Sequence, residues 1–122
     1  MVDIQKEALP ENAISSYNST SITIKNVVYE NFSIVTADRI INSGEKTNMI
    51  DLDISLISDT ILEGIEVVIV GHNQDFSTIP VALIRAFAEK NIGVEFMNFG
   101  AACRTFNILL AEGRKVLGVF LG

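Results

Sequence analysis

Residues 65–71, Ile-Glu-Val-Val-Ile-Val-Gly, constrain this chain more than any other stretch. A short run so rich in β-branched side chains suits a strand covered on both faces, because Val and Ile pack well on a pleated surface. Such a strand needs layers above and below it, and the residues that follow supply them. Pro80 marks the first turn of a helix with Leu83, Ile84 and Phe87 on its inner stripe, and Ile92 to Met97 suits a second strand. Ala101 to Glu112 has helical spacing with Gly113 as the C′ residue, and Val116 to Leu121 suits a third strand. Strand, helix, strand, helix, strand predicts an α/β sandwich on a mixed central sheet.

The first half adds a β layer. Ser21 to Ile24 and Val27 to Thr36 flank the polar pair Lys25-Asn26, which predicts a hairpin, and Ala37 to Asn42 adds a short strand. Asp51 and Asp53 are candidate N-caps for a helix carrying Ile54, Ile57, Ile61 and Leu62, closed by Gly64. Residues 1–20 are polar and hold Pro10 and the tract Ser15 to Thr20, so they are expected to form a loose arm. The expected organisation is an arm over 1–20 and one three-layer α/β domain over 21–122, with a small β-hairpin layer added to the mixed sheet.

The chemistry available is sparse. The 122 residues include one histidine, His72, and one cysteine, Cys103. That excludes a His/Cys structural zinc site and an intrachain disulfide, and no cofactor or metal is expected. The net charge of −6 opposes attraction to phosphate backbones, so nucleic acid is not an expected partner. Residues 1–64 hold 10 acidic and 4 basic side chains, whereas 65–122 hold 5 of each. No apolar run is long enough to span a membrane, and the first residues form neither a secretory signal nor a transit peptide. A cytoplasmic address is therefore expected.

The candidate binding residues cluster near two features. Gly71, His72 and Asn73 open a loop between a strand and a helix, the place where α/β sheets collect ligands. A lone glycine there makes a weak phosphate cradle, and an ordinary polar loop is the plainer alternative. Cys103 lies on the stripe Cys103, Phe106, Leu110, which favours a core thiol over a nucleophile. Arg104, in the first turn of its helix, faces the positive end of the dipole and calls for an anionic or structural partner. Asn107 stands one turn further on the same side, so the pair could bind an anion or partner, or serve the fold through internal bonds. No catalytic residue is assigned.

The stretch Gly93-Val94-Glu95-Phe96-Met97, followed by Ala102-Cys103-Arg104-Thr105-Phe106-Asn107 and Glu112-Gly113-Arg114, resembles a known pattern. It is similar to the small family of unknown function typified by the mitochondrial respiratory complex I (NADH:ubiquinone oxidoreductase) assembly factor 3, with uncharacterised prokaryotic relatives. The resemblance runs from about Ser21 to the last residue. Where relatives carry a Gly-Thr-Gly-like turn this chain has Gly71-His72-Asn73, and Asn98-Phe99-Gly100 replaces their Asp-Thr. It implies a three-layer α/β fold and a non-enzymatic accessory role through a protein partner. A small anionic ligand or an enzyme site near Arg104 and the Gly71–Thr78 loop is the alternative. A homo-oligomer using Phe96, Phe99 and Phe120 at a self-interface is a third expectation.

Overall fold

The computed structural model describes residues 12–74 and 79–122. Five strands form the main sheet: β4 (Ser33–Val35), β5 (Ile40–Asn42), β6 (Val67–His72), β7 (Gly93–Asn98) and β8 (Val116–Phe120), in the order β5-β4-β8-β6-β7. The strands β6, β7 and β8 run parallel, whereas β4 lies antiparallel to β8 and to β5. A second sheet of three antiparallel strands is built from β1 (Ser16–Tyr17), β2 (Ser21–Ile24) and β3 (Val27–Glu30). The expected mixed α/β architecture with an added β layer is what the chain forms.

Alternation along β6 and β8 explains how both faces are covered. Val68, Val70, Leu117 and Val119 point into one core with Leu83 and Phe87 of α2 (Val81–Ala88). On the other face, Ile69, Val116 and Phe120 meet Phe99, Cys103, Phe106 and Leu110 of α3 (Phe99–Ala111), together with Ile22 and Ile24 of the small sheet. Period-2 side-chain geometry thus divides one apolar strand between two cores. Phe120 is held edge-on by Phe99 and Phe106, with ring centroids 5.9 and 5.7 Å away, pairs worth about 0.5–1.5 kcal/mol each beyond their buried area. The proposed self-interface fails here, since Phe99 and Phe120 are buried in that core.

Several expectations change. The hairpin forms, with both turn residues Lys25 and Asn26 at positive φ, 51° and 67°. The run after it does not continue as one strand. Asn31, at φ 61°, breaks it and sends Ser33–Val35 into the other sheet. The backbone N–H of Asn31 donates to the Thr20 carbonyl at 2.8 Å, and its Nδ2 donates to the Gly44 carbonyl at 2.9 Å.

The helix expected after Asp51 is instead two 3-10 turns, Met49–Asp51 and Ile54–Leu56, and the one-turn α1 (Asp59–Leu62). Asp53 accepts from the Ser55 N–H and Ser58 from the Ile61 N–H, so each side chain starts a new turn rather than supporting a continuing one. Ile84, assigned to an inner stripe, is 36% exposed, because α2 buries only Leu83 and Phe87.

The part of the arm that is described is not loose. Ile14 is buried in the α3 core, Ser16–Tyr17 pairs with β2, and Asn12 donates to the Thr36 carbonyl at 2.8 Å. Residues 1–11, including Pro10, lie outside the described residues. Among the described residues, no helix is long and apolar enough to cross a membrane.

Candidate functional site

Gly71 and His72 end β6 with Asn73 just beyond, and Cys103, Arg104 and Asn107 lie along the second and third turns of α3. Gly71 is a strand residue rather than the start of a loop, paired with Met97 and Phe120 across the sheet. A Cβ there would lie 2.6 Å from the Ala102 Cβ, so only glycine lets α3 approach β6 this closely. That is a packing role, and the lone-glycine phosphate cradle is not formed.

His72 ends the strand and is 1% exposed. Its Nδ1 accepts from the Gln74 N–H at 3.1 Å. An accepting Nδ1 places the proton of the neutral ring on Nε2. Burial depresses its pKa, a shift that the Gln74 hydrogen bond opposes. Cys103 is fully buried, and burial pushes its thiol up to about 12 even though Arg104 pulls it the other way. Neither group is a reactive surface side chain.

Arg104 and Asn107 do share a side of α3, as their spacing implied, but both hold the amino-terminal strand. The Arg104 Nη1 donates to the Tyr17 hydroxyl at 2.5 Å. Asn107 accepts from the Ile14 N–H through Oδ1 and donates to the Ile14 carbonyl through Nδ2, both at 2.8 Å. The side-chain amide therefore stands in for a neighbouring strand. Both residues thus make internal bonds, Asn107 through both ends of its amide and Arg104 through Nη1 at the surface.

Beyond His72 the chain opens a polar hollow of about 350 Å³ at the carboxyl ends of β6 and β8. Asn73 and Gln74 form one wall, Ser19 and Thr20 another, Lys46 to Asn48 a third, and Leu121 and Gly122 complete it. Asn73 Nδ2 donates to the Ser19 carbonyl at 2.6 Å, tying the small sheet to the strand end. Gln74 Oε1 accepts from the Met49 N–H at 2.7 Å, and its Nε2 donates to Asn48 Oδ1 at 3.3 Å. Lys46 is the cation of the lining, and no Asp or Glu lies among the described lining residues. Of the candidates only Asn73 lines this hollow. Lys46, Thr47 and Asn48 lacked any signal in the sequence beyond a polar turn; the hydrogen bonds of Gln74 bring them there.

No group of three His, Cys, Asp or Glu side chains that could hold a metal occurs among the described residues. A family model described as protein of unknown function (DUF498/DUF598) matches residues 14–121. The chain belongs to the DUF498/DUF598 family. Its match begins at Ile14, the residue that Asn107 clamps. Among solved structures, a Bordetella parapertussis protein is similar at 27% identity and TM-score 0.78, over 93% of this chain and 98% of that one. A protein described as an outer membrane protein from Bartonella henselae is also similar, at 27% identity and TM-score 0.75, with the same coverage. A Bordetella pertussis protein described as a Mth938-like domain shares the fold, with TM-score 0.75 at 22% identity over 93% of this chain and 87% of that one. No curated protein matches the chain.

Proposed function

We propose that this DUF498/DUF598 protein works by binding rather than by chemistry, as an accessory factor akin to the respiratory-complex assembly factor its sequence resembles. One observation carries this reading: the thiol of Cys103 and the imidazole of His72 are built into the interior, whereas the described lining of the accessible hollow offers amides, hydroxyls and the Lys46 ammonium. Such groups recognise a partner without an evident nucleophile or general base beside them. The surface that meets the partner is the rim formed by Ser19, Lys46, Thr47 and Asn73, in place of the Arg104 and Asn107 pair. A cytoplasmic protein partner fits this reading. Affinity capture from native lysate tests it, using the wild type and Lys46→Glu, which reverses an exposed turn charge. A partner held by the wild type and lost with Lys46→Glu supports the reading. Identical captures from both, or none from either, overturn it.

A second reading is a small molecule with an anionic group seated in the same hollow, favoured by Lys46 standing there with no carboxylate among the described lining residues. Thermal stabilisation of the wild type by phosphate or acetate, absent in Lys46→Glu, separates this from the protein-partner reading.

A further inference from the structure

A second hollow, of about 610 Å³, lies at the opposite end of the parallel strands, between the β4–β5 turn, α1 and the connection from α3 to β8. Its volume is in the range of small-molecule sites. We infer that this hollow binds small amphipathic organic anions, with one carboxylate or similar head on a short apolar body. Ile61, Ile65, Leu110 and Val116 supply apolar lining, and Arg39, Arg114 and Lys115 supply cations. Three of the nine Lys and Arg residues of a chain with net charge −6 thus line one hollow.

One of these charges is spare. Arg114 Nε pairs with Glu66 at 3.5 Å and the same carboxylate attracts Lys115, whereas Arg39 has no ion-pair partner among the described residues. Positive charge after a helix is commonly explained by the negative end of its dipole, and Arg114 and Lys115 fit that account. Arg39 does not, because it comes from the β4–β5 turn. That turn is fixed: Thr36 Oγ1 accepts from the Arg39 N–H at 3.1 Å, and Asn12 Nδ2 donates to the Thr36 carbonyl. Two carboxylates also line the hollow. Asp38 accepts from the Thr36 hydroxyl at 3.2 Å and keeps its charge, and Glu63 follows the last residue of α1, so the three cations exceed the carboxylates of the lining by one. Cations over an apolar lining call for a ligand with both characters, since phosphate leaves the apolar surface wet and an alcohol leaves the cations unpaired.

The test uses the full chain, labelled for amide NMR, and three probes below micellar concentration: decanoate, decanol and inorganic phosphate. Decanoate is expected to shift amides in 37–39 and 110–116 saturably, and to bind more tightly than either other probe. Arg39→Gln/Lys115→Gln, whose spectrum reports its own folding, is expected to weaken decanoate about tenfold, the effect of losing two partly screened charges. The inference is overturned if decanol binds as tightly as decanoate, if phosphate alone reproduces the shifts, or if the double variant binds decanoate unchanged. Shifts centred on Asn73 and Lys46 would also overturn it, placing the anion in the hollow of the proposed function.

Discussion

Replacing Gly71 with alanine probes the contact that sets the distance between α3 and the sheet. The added methyl would sit 2.6 Å from the Ala102 Cβ, with Phe120 Cδ1 at 3.4 Å and the Phe99 Cα at 3.5 Å. Carbon atoms settle at about 3.5–4.0 Å, so the helix and strand must part by roughly 1 Å, with backbone on one side unable to yield. Overpacking of this kind costs about 1–3 kcal/mol. At about 2.1 cal/mol/K per residue, a chain of 122 residues has an unfolding entropy of roughly 0.26 kcal/mol/K. The expected loss in Tm is therefore about 4–12 °C, read by calorimetry.

The reciprocal change separates crowding from other causes. Ala102→Gly alone should cost about 1 kcal/mol in helix propensity. Combined with Gly71→Ala, it moves the methyl from helix to strand and should restore most of the loss, leaving the pair close to Ala102→Gly alone. Strict additivity of the two changes, or Gly71→Ala within about 0.5 kcal/mol of wild type, would refute the packing argument.

Three other outcomes follow from the buried groups. Asn107→Leu strips both bonds from Ile14, and should cost about 1–3 kcal/mol while speeding amide exchange over residues 14–17; unchanged exchange there would remove the clamp from the account. Burial depresses the His72 pKa, so the unfolded chain takes the proton more readily. The resulting stability is full above the unfolded value near 6.5 and is lost as pH falls below it. Urea unfolding at pH 7.5 and 5.5 should show a larger drop for wild type than for His72→Gln, and equal drops would contradict this. For Cys103 the sign is opposite: with the thiol pushed up to about 12 by burial, stability holds below the unfolded value near 8.5 and falls as pH rises from there. An aromatic disulfide reagent at pH 8 should therefore label Cys103 only as fast as the chain unfolds, and rapid labelling of the native protein would refute this.

What the sequence made legible was local. The Lys25-Asn26 turn joins strands that are neighbours in the chain, and the stripe of Cys103, Phe106 and Leu110 is set by helical periodicity. Features decided at a distance were not visible. The alternation from Val28 to Ile34 continues across Asn31, yet that residue's left-handed backbone moves the chain between sheets. The Asn107 amide looked available because its partner, Ile14, lies 93 residues earlier. The apolar residues of 54–62 fit a helical period, but capping by Asp53 and Ser58 divides them into separate turns. The polar hollow gathers Ser19, Lys46 and Asn73 from three regions of the chain, a convergence that no spacing encodes.

The strand order has a consequence for how the protein is made. The last strand, β8, lies between β4 and β6, so the main sheet has no middle until Val116–Phe120 is present. During synthesis β5-β4 and β6-β7 emerge before the strand that joins them, each with an edge of unpaired N–H and C=O groups awaiting the same insert. Both edges stay unpaired in the nascent chain until Val116–Phe120 has emerged to join them.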